Sequence, residues 1–410
     1  MLFKQNAKHV FQYVRVVFLI FALSLIAACG GGGGDDGGDN VDNSADNSDN
    51  DNDNDNDNDN DNDNDNDNDD NDDNDDEQEA DIVELGRSLY FDTNLSNPPG
   101  QSCASCHTPS VGFDDPDNTL PTSEGAVAGR FGARNAPTAS YAAHIPAFGM
   151  QNGEFFGGQF LDGRADDLEE QARGPFLNVL EMNMDSQAAV VAAVSIADYA
   201  AEFTAVFGDN AFDDVGTAYV QISEAIAAFE RSEEFSPFTS KFDAVQNGQA
   251  IFTDSEQRGF DIFRNNGNDG ANCDRCHSLN GNPVMFTNFE FENIGVPRNP
   301  NNPFYLLDAS LNPDGPAFID LGLGAIVNDD DENGKFRTPT LRNIAETAPY
   351  MHNGVFNTLT DVINFYNNRN PIDAEVTQNV TNNGVGNLGL SLQERQDLEA
   401  FLRTLSDGFI

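Results

Sequence analysis

Two copies of one short pattern constrain this chain more than any other feature: Cys103-Ala104-Ser105-Cys106-His107 and Cys273-Asp274-Arg275-Cys276-His277. C-x-x-C-H is the attachment pattern of c-type haem. Two thiols form thioether bonds to the porphyrin, and the adjacent histidine ligates its iron. The chain has five cysteines and five histidines in 410 residues, so chance duplication of the pattern is improbable. A thioredoxin-like dithiol would not need the trailing histidine twice, and no second half of a zinc site stands at a suitable spacing. The pattern predicts two covalent haems c, with Cys103, Cys106 and His107 holding one and Cys273, Cys276 and His277 the other.

The fifth cysteine, Cys29, closes the account. Lys4, Lys8 and Arg15 form a positive leader, followed by a thirteen-residue apolar run from Val16 to Ala28. That run is too short to span a bilayer and fits a signal peptide over residues 1–28. It ends Leu25-Ile26-Ala27-Ala28-Cys29, which looks like a bacterial lipoprotein cleavage site with lipid carried on Cys29. An ordinary signal peptide with a stray cysteine is the alternative, and both export the chain. Gly30 after Cys29 favours the outer membrane by resemblance to known sorting behaviour. The expected location is an outer-membrane-anchored lipoprotein, periplasmic or cell-surface.

Residues 29–80 read as a disordered spacer of Gly, Asp and Asn, with an Asp-Asn alternation from Asp49 to Asp69. Such a segment has almost nothing apolar to bury, and its like charges stretch it. Weak calcium binding by its hard oxygens is a second reading. The net charge is −50, but residues 35–79 hold 23 of the 70 acidic residues. Without these and the three leader cations, 47 acids still face 17 bases. This balance excludes nucleic acid as a partner. It suits a basic partner protein, a salty habitat, or only a solvated acidic face.

The 330 residues from Asp81 onward suffice for two domains, and the haem patterns lie 170 residues apart. The spacing predicts one haem per domain, residues 81–245 and 246–410, with the boundary near Ser240 to Gly248. Helical patterns dominate. Ile82, Leu85 and Leu89 line one face before the first pattern. Ser186 to Phe207 reads as one long helical stretch capped by Ser186, and Ala218 to Arg231 as another with Ile222, Ile226 and Phe229 on one side. Ser255 to Arg264 leads toward the second pattern, and Ser391 with Glu394 makes a capping box for a last helix ending near Leu405. The expected fold is mostly α, two c-type cytochrome domains with long irregular loops.

Ordered blocks add a resemblance. They include Leu85-Gly86-Arg87-Ser88-Leu89-Tyr90-Phe91-Asp92, Arg134-Asn135-Ala136-Pro137-Thr138, Asp162-Gly163-Arg164-Ala165, Leu168-Glu169-Glu170-Gln171-Ala172, Thr338-Pro339-Thr340-Leu341-Arg342-Asn343 and Thr347-Ala348-Pro349-Tyr350-Met351-His352-Asn353-Gly354. Over roughly Ile82 to Leu405 the chain resembles the bacterial di-haem cytochrome c peroxidases, including the MauG-type enzymes. The resemblance implies that the N-terminal haem meets hydrogen peroxide and the C-terminal haem passes electrons. It makes His107 the proximal ligand of the peroxidatic iron. Many relatives close the other side of that iron with a histidine lying between the first pattern and Arg134-Asn135. Thr108 to Ala133 contains none, and His144 lies outside that stretch. The expectation is an open or weakly water-ligated iron, active without prior reduction.

By the same resemblance Glu181 falls on the distal glutamate, Gln171 on the distal glutamine and Pro175 on a pocket proline. A carboxylate in an apolar pocket can take a proton from the near oxygen of peroxide and return it to the leaving one. Asn135, Thr347 and Pro349 match a calcium site between the haems, where an amide oxygen and two carbonyls would suit a hard cation. Ordinary peroxidases ligate the second iron with a methionine at the position of Tyr366, whereas MauG-type enzymes have tyrosine. Leu359, Val362, Ile363 and Tyr366 share one helix face. An anionic oxygen ligand supports higher oxidation states of iron and lowers its potential. Met285 or Met351 is the alternative ligand. The chain departs from the family at Leu161, which stands where a tryptophan between the haems is usual; there is no tryptophan at all.

The leading expectation is an exported di-haem oxidoreductase reducing hydrogen peroxide with electrons from a cytochrome or other redox protein. MauG-like oxidation of a tryptophan or other side chain on a partner protein is one alternative. A non-catalytic di-haem electron carrier is another.

Overall fold

The structure is a computed structural model that describes residues 72–409 apart from 265–270, 371–372 and 382–383; for 72–77 it describes the backbone alone. The leader, Cys29 and the spacer up to residue 71 lie outside the described residues, and with them the expectations of lipidation, of a disordered tether and of calcium binding along it.

Helix α1, Asp72–Phe91, reaches back over 72–80, the end of the expected spacer. Acidic side chains suit the first turns of a helix, where the dipole is positive, so this stretch can extend the apolar-faced segment that follows it. The first cysteine pattern winds into a single turn, α2 (Cys103–Cys106), capped by Ser102 with Ser105. A hairpin of β1 (Gly149–Gln151) and β2 (Glu154–Phe156) follows, antiparallel with Gly149 opposite Phe156.

Next come α3 (Leu168–Leu177), α4 (Gln187–Val194), α5 (Ala200–Phe207) and α6 (Val215–Glu230). The single helix expected from Ser186 to Phe207 is therefore two. Ser186 does cap the first, accepting from the Ala189 N–H, but Ser195 ends it. Ser195, Ile196 and Asp198 are poor helix interiors compared with the alanines around them, and the break lets Val194 and Phe203 both reach the core.

The second half holds α7 (Lys241–Gln246), α8 (Asp254–Phe263), α9 (Leu323–Val327), α10 (Leu359–Asn367) and α11 (Leu392–Leu402). Ser391 and Glu394 form the expected capping box on α11. Strands β3 (Phe291–Glu292) and β4 (Phe336–Arg337) pair antiparallel, Phe291 opposite Arg337. The fold is largely helical, with only these two small sheets among the described residues. None of the described helices is long and apolar enough to cross a membrane.

Two large hydrophobic cores and a small third cluster around Ala142, Leu168 and Ala227 form within one compact unit. The first gathers Leu85, Leu89 and Tyr90 of α1, Phe176, Phe203, and Ile222, Ile226 and Phe229 of α6, with Cys103 packed on it. The second gathers Phe242, Phe263, Ile363, Leu398 and Phe401, with Cys273 packed on it. Each core is crossed by a helix pair that meets at a glycine. A Cβ on Gly86 of α1 would run into the carbonyl oxygen of Ala225 in α6, and one on Gly259 of α8 into that of Asp397 in α11. Gly86→Ala is expected to destabilise the holoprotein by about 1–3 kcal/mol through forced separation of α1 and α6. A denaturant midpoint equal to wild type would count against that packing.

Polar ties join segments far apart in the chain. Arg342 has no exposed side-chain surface and grips Asp243 through two bonds of 2.9 Å. Arg134 reaches Asp162 at 2.6 Å and Asp320 through bonds of 2.6 and 2.7 Å. The Tyr141 hydroxyl donates to Asp407.

Candidate functional site

Around the first cysteine pair the backbone is held from several sides. The His107 N–H donates to Cys103 at 2.9 Å, and the hydroxyl of buried Tyr90 donates to the His107 carbonyl at 2.9 Å. Burial lowers the His107 pKa, against the pull of the Phe113 backbone, so the imidazole is neutral and able to ligate. Burial also pushes the Cys106 thiol up to about 12 and Cys103 higher still. Thiols so raised are inert as nucleophiles or redox groups, which suits attachment better than dithiol exchange.

Glu181 stands in the turn after α3. Its own N–H and that of Asn183 donate to the Asn178 carbonyl, and the Asn178 amide donates to its carboxylate at 2.8 Å. Ala126 donates to the Glu181 carbonyl, and Gly125 lies so close to the Leu180 carbonyl that no side chain would fit. Arg130 donates to Asn183 and to the Val179 carbonyl. Gln101 completes the frame, its amide donating to the Glu124 carbonyl at 2.8 Å and reaching Cys106 Sγ at 3.8 Å.

Burial raises the Glu181 pKa, with Arg164 and Asn178 pulling it back. The Glu181 charge in turn adds to the burial that raises both thiols of the first pattern. Gln171 and Pro175, one turn apart on α3, share a helix face. The Gln171 side chain makes no hydrogen bond to a described residue. His144 packs on Tyr141 and Phe238 instead of on this region. Sequence reasoning missed Gln101, Asn178 and Arg130. It also missed Glu230, a buried carboxyl that burial pushes up to about 8 and whose charge helps raise the Cys103 thiol. These four carry no local pattern; only tertiary placement singles them out.

The second cysteine pair lines a cavity of about 290 Å³ together with His277, Met285, Met351 and Tyr366. The His277 Nδ1 bonds the Phe286 carbonyl at 3.0 Å, which leaves Nε2 free to ligate. Burial lowers its pKa to about 4, so it too is neutral. Tyr366 comes from α10, whose Leu359 and Ile363 pack into the second core. Its hydroxyl bonds no described residue. Burial, with Cys273, Cys276 and Glu292 adding repulsion, raises its pKa strongly. A phenolate there needs a cation to hold it.

Asn135, Leu161, Thr347 and Pro349 line the same cavity. The Asn135 amide nitrogen lies 2.6 Å from the Pro349 carbonyl, and its backbone N–H donates to His352. The structure thus brings Asn135 and Pro349 together. Leu161 accepts from the Arg337 N–H at 2.9 Å. The donor set fits c-type haem on both sides: paired sulfurs on one turn, neutral imidazoles, and around the second pair an apolar cavity with one uncommitted phenol.

A profile described as di-haem cytochrome c peroxidase matches residues 80–251. The methylamine utilization protein MauG of Paracoccus denitrificans is 42% identical over 297 residues, 70% of this chain and 74% of that protein. The cytochrome-c peroxidase IdrP2 of Denitromonas iodatirespirans is 32% identical over 341 residues, 80% of this chain and 82% of its own length. Among solved structures, the diheme peroxidase BthA of Burkholderia thailandensis superposes with a TM-score of 0.70 at 34% identity, covering 80% of this chain and 86% of that one. The chain belongs to the di-haem cytochrome c peroxidase family and is a di-haem oxidoreductase.

Proposed function

We propose that the chain reduces hydrogen peroxide at a haem held by Cys103, Cys106 and His107, with electrons passed through a second haem held by Cys273, Cys276, His277 and Tyr366. One haem belongs to each domain, residues 81–245 and 246–410, with Phe242 near the boundary packing into the second core. Bound haem supplies an iron site for peroxide and a place to store oxidising equivalents. The protein supplies the rest. Glu181, raised by burial yet framed by Asn178, takes a proton from the near oxygen and hands it to the departing one. Gln171 and Pro175 shape the same pocket. The observation that carries this reading is the frame that ties Glu181 to the first cysteine pair: Ala126 donates to the Glu181 carbonyl, and the Gln101 amide bridges the neighbouring Glu124 carbonyl and Cys106 Sγ. The family is one of named enzymes, so the non-catalytic carrier is not retained.

Tyr366 supports a second reading, MauG-like oxidation of a side chain on a partner protein. It projects into the cavity beside Cys273, Cys276 and His277. A phenolate would also stabilise oxidised iron better than Met285 or Met351 could. Calcium is part of the proposal as well. Turning the Asn135 amide over would set its oxygen toward the Pro349 carbonyl, two hard ligands for a bridging cation near Thr347. Export as a lipoprotein through Cys29 belongs to the same reading.

Stopped-flow mixing of the holoprotein with peroxide and a reduced c-type cytochrome separates the two readings. Sustained oxidation of the cytochrome is the expected result for a peroxidase. Rapid reaction with peroxide but no cytochrome oxidation would favour a protein substrate, and no reaction with peroxide at all would overturn both.

A further inference from the structure

Arg337 is 6% exposed, yet no carboxylate among the described residues pairs with it. The other two arginines that tie the structure together are each satisfied, Arg134 by Asp162 and Asp320 and Arg342 by Asp243. Of its five N–H donors, Nη2 meets the Phe160 carbonyl at 3.2 Å and Nε meets nothing. A buried charge left unpaired is strongly unfavourable, and native proteins pair such groups with an anion. Burial alone, with no opposing charge, draws its pKa down to about 10.

Its position says what the anion is. Arg337 ends β4 and lines the cavity shared by Cys273, Cys276, His277 and Tyr366. The chain then runs on to Pro339, whose backbone acts on the His277 imidazole. The other arginine on the cavity wall, Arg275, is engaged by Glu292 at 3.8 Å. A haem carries two propionates and no other anionic side group, and both must be neutralised or reach water. We propose that Arg337 is the counter-charge of a propionate on the second haem and that, through it, Arg337 raises that haem's reduction potential. This rests on the placement of the second haem given above.

A cation beside a porphyrin favours the reduced, electron-richer state, so its loss should lower the potential. The test is a spectroelectrochemical titration of the second haem in wild type, Arg337→Gln and Arg337→Lys holoproteins, with the resting ferric spectrum as a check on ligation. Arg337→Gln is expected to shift the reduction equilibrium about tenfold toward the oxidised form, about 59 mV for a one-electron couple. Arg337→Lys should retain at least half of the wild-type effect. Loss of haem loading in Arg337→Gln with loading kept in Arg337→Lys would support the same assignment. An Arg337→Gln protein with wild-type spectrum and midpoint would overturn it. So would failure of both variants to load, since lysine keeps the charge, and so would a wild-type midpoint that tracks added acetate, the mark of a free anion. Failure of the peroxide reading would appear separately, in wild-type turnover.

Discussion

Glu181→Gln is expected to slow peroxide turnover by about 10²–10⁴-fold with both haems still attached. The amide keeps the shape of the side chain and its place in the Asn178 frame, but it cannot accept and return a proton. Peroxide binding should survive better than the rate, so the loss should fall mainly on kcat. The wild-type pH profile carries a second signature. Burial raises the Glu181 pKa, so the working carboxylate is lost as pH falls through a value above that of an ordinary glutamate. The rate should rise with pH across that limb, and the limb should vanish in Glu181→Gln. A variant with wild-type kcat would remove Glu181 from the chemistry.

Tyr366→Met is expected to raise the potential of the second haem by an amount on the order of hundreds of millivolts, since axial ligands alone move haem potentials over about 0.8 V. The sign follows from charge. A phenolate stabilises ferric iron, and a thioether, being neutral, does not. The environment supports the assignment, because Tyr366 lines one cavity with Cys273, Cys276 and Glu292, its pKa is raised there, and it would ionise only under the pull of a cation. The variant should also store oxidising equivalents less well on that side, shifting behaviour toward an ordinary peroxidase. Redox titration of both proteins measures the difference. An unchanged midpoint would transfer ligation to Met285 or Met351, which line the same cavity.

How much of this could be read from residues alone varies with the range of the interaction. The Ser391–Glu394 capping box and the apolar face of Leu359, Val362, Ile363 and Tyr366 are local patterns, and the structure forms both, the latter as one side of the second cavity. The break between α4 and α5 was not legible, because alanine-rich propensity runs across it and tertiary packing of Val194 and Phe203 decides it. The backward extension of α1 was hidden for the opposite reason: its residues have almost no apolar content and depend on the helix already formed beyond them.

At the site, the cysteine patterns and their histidines are contiguous and therefore visible. Glu181 could be singled out among 70 acidic residues only by resemblance. Its frame of Gln101, Arg130 and Asn178 joins segments far apart in the chain. Arg337 looks like any cation in a loop until its burial beside an apolar cavity shows that it lacks a partner. The glycine crossings at Gly86 and Gly259 are equally silent in sequence, since only the approach of a second helix gives a glycine there its meaning.

Peroxide chemistry of the proposed kind needs an accessible iron beside Glu181 and a fully ligated iron beside Tyr366. Low-temperature electron paramagnetic resonance of the resting ferric holoprotein tests it most directly. One high-spin and one low-spin haem in equal amounts, without prior reduction, is the expected result. Two low-spin haems, both remaining low-spin after reduction of the second, would contradict it.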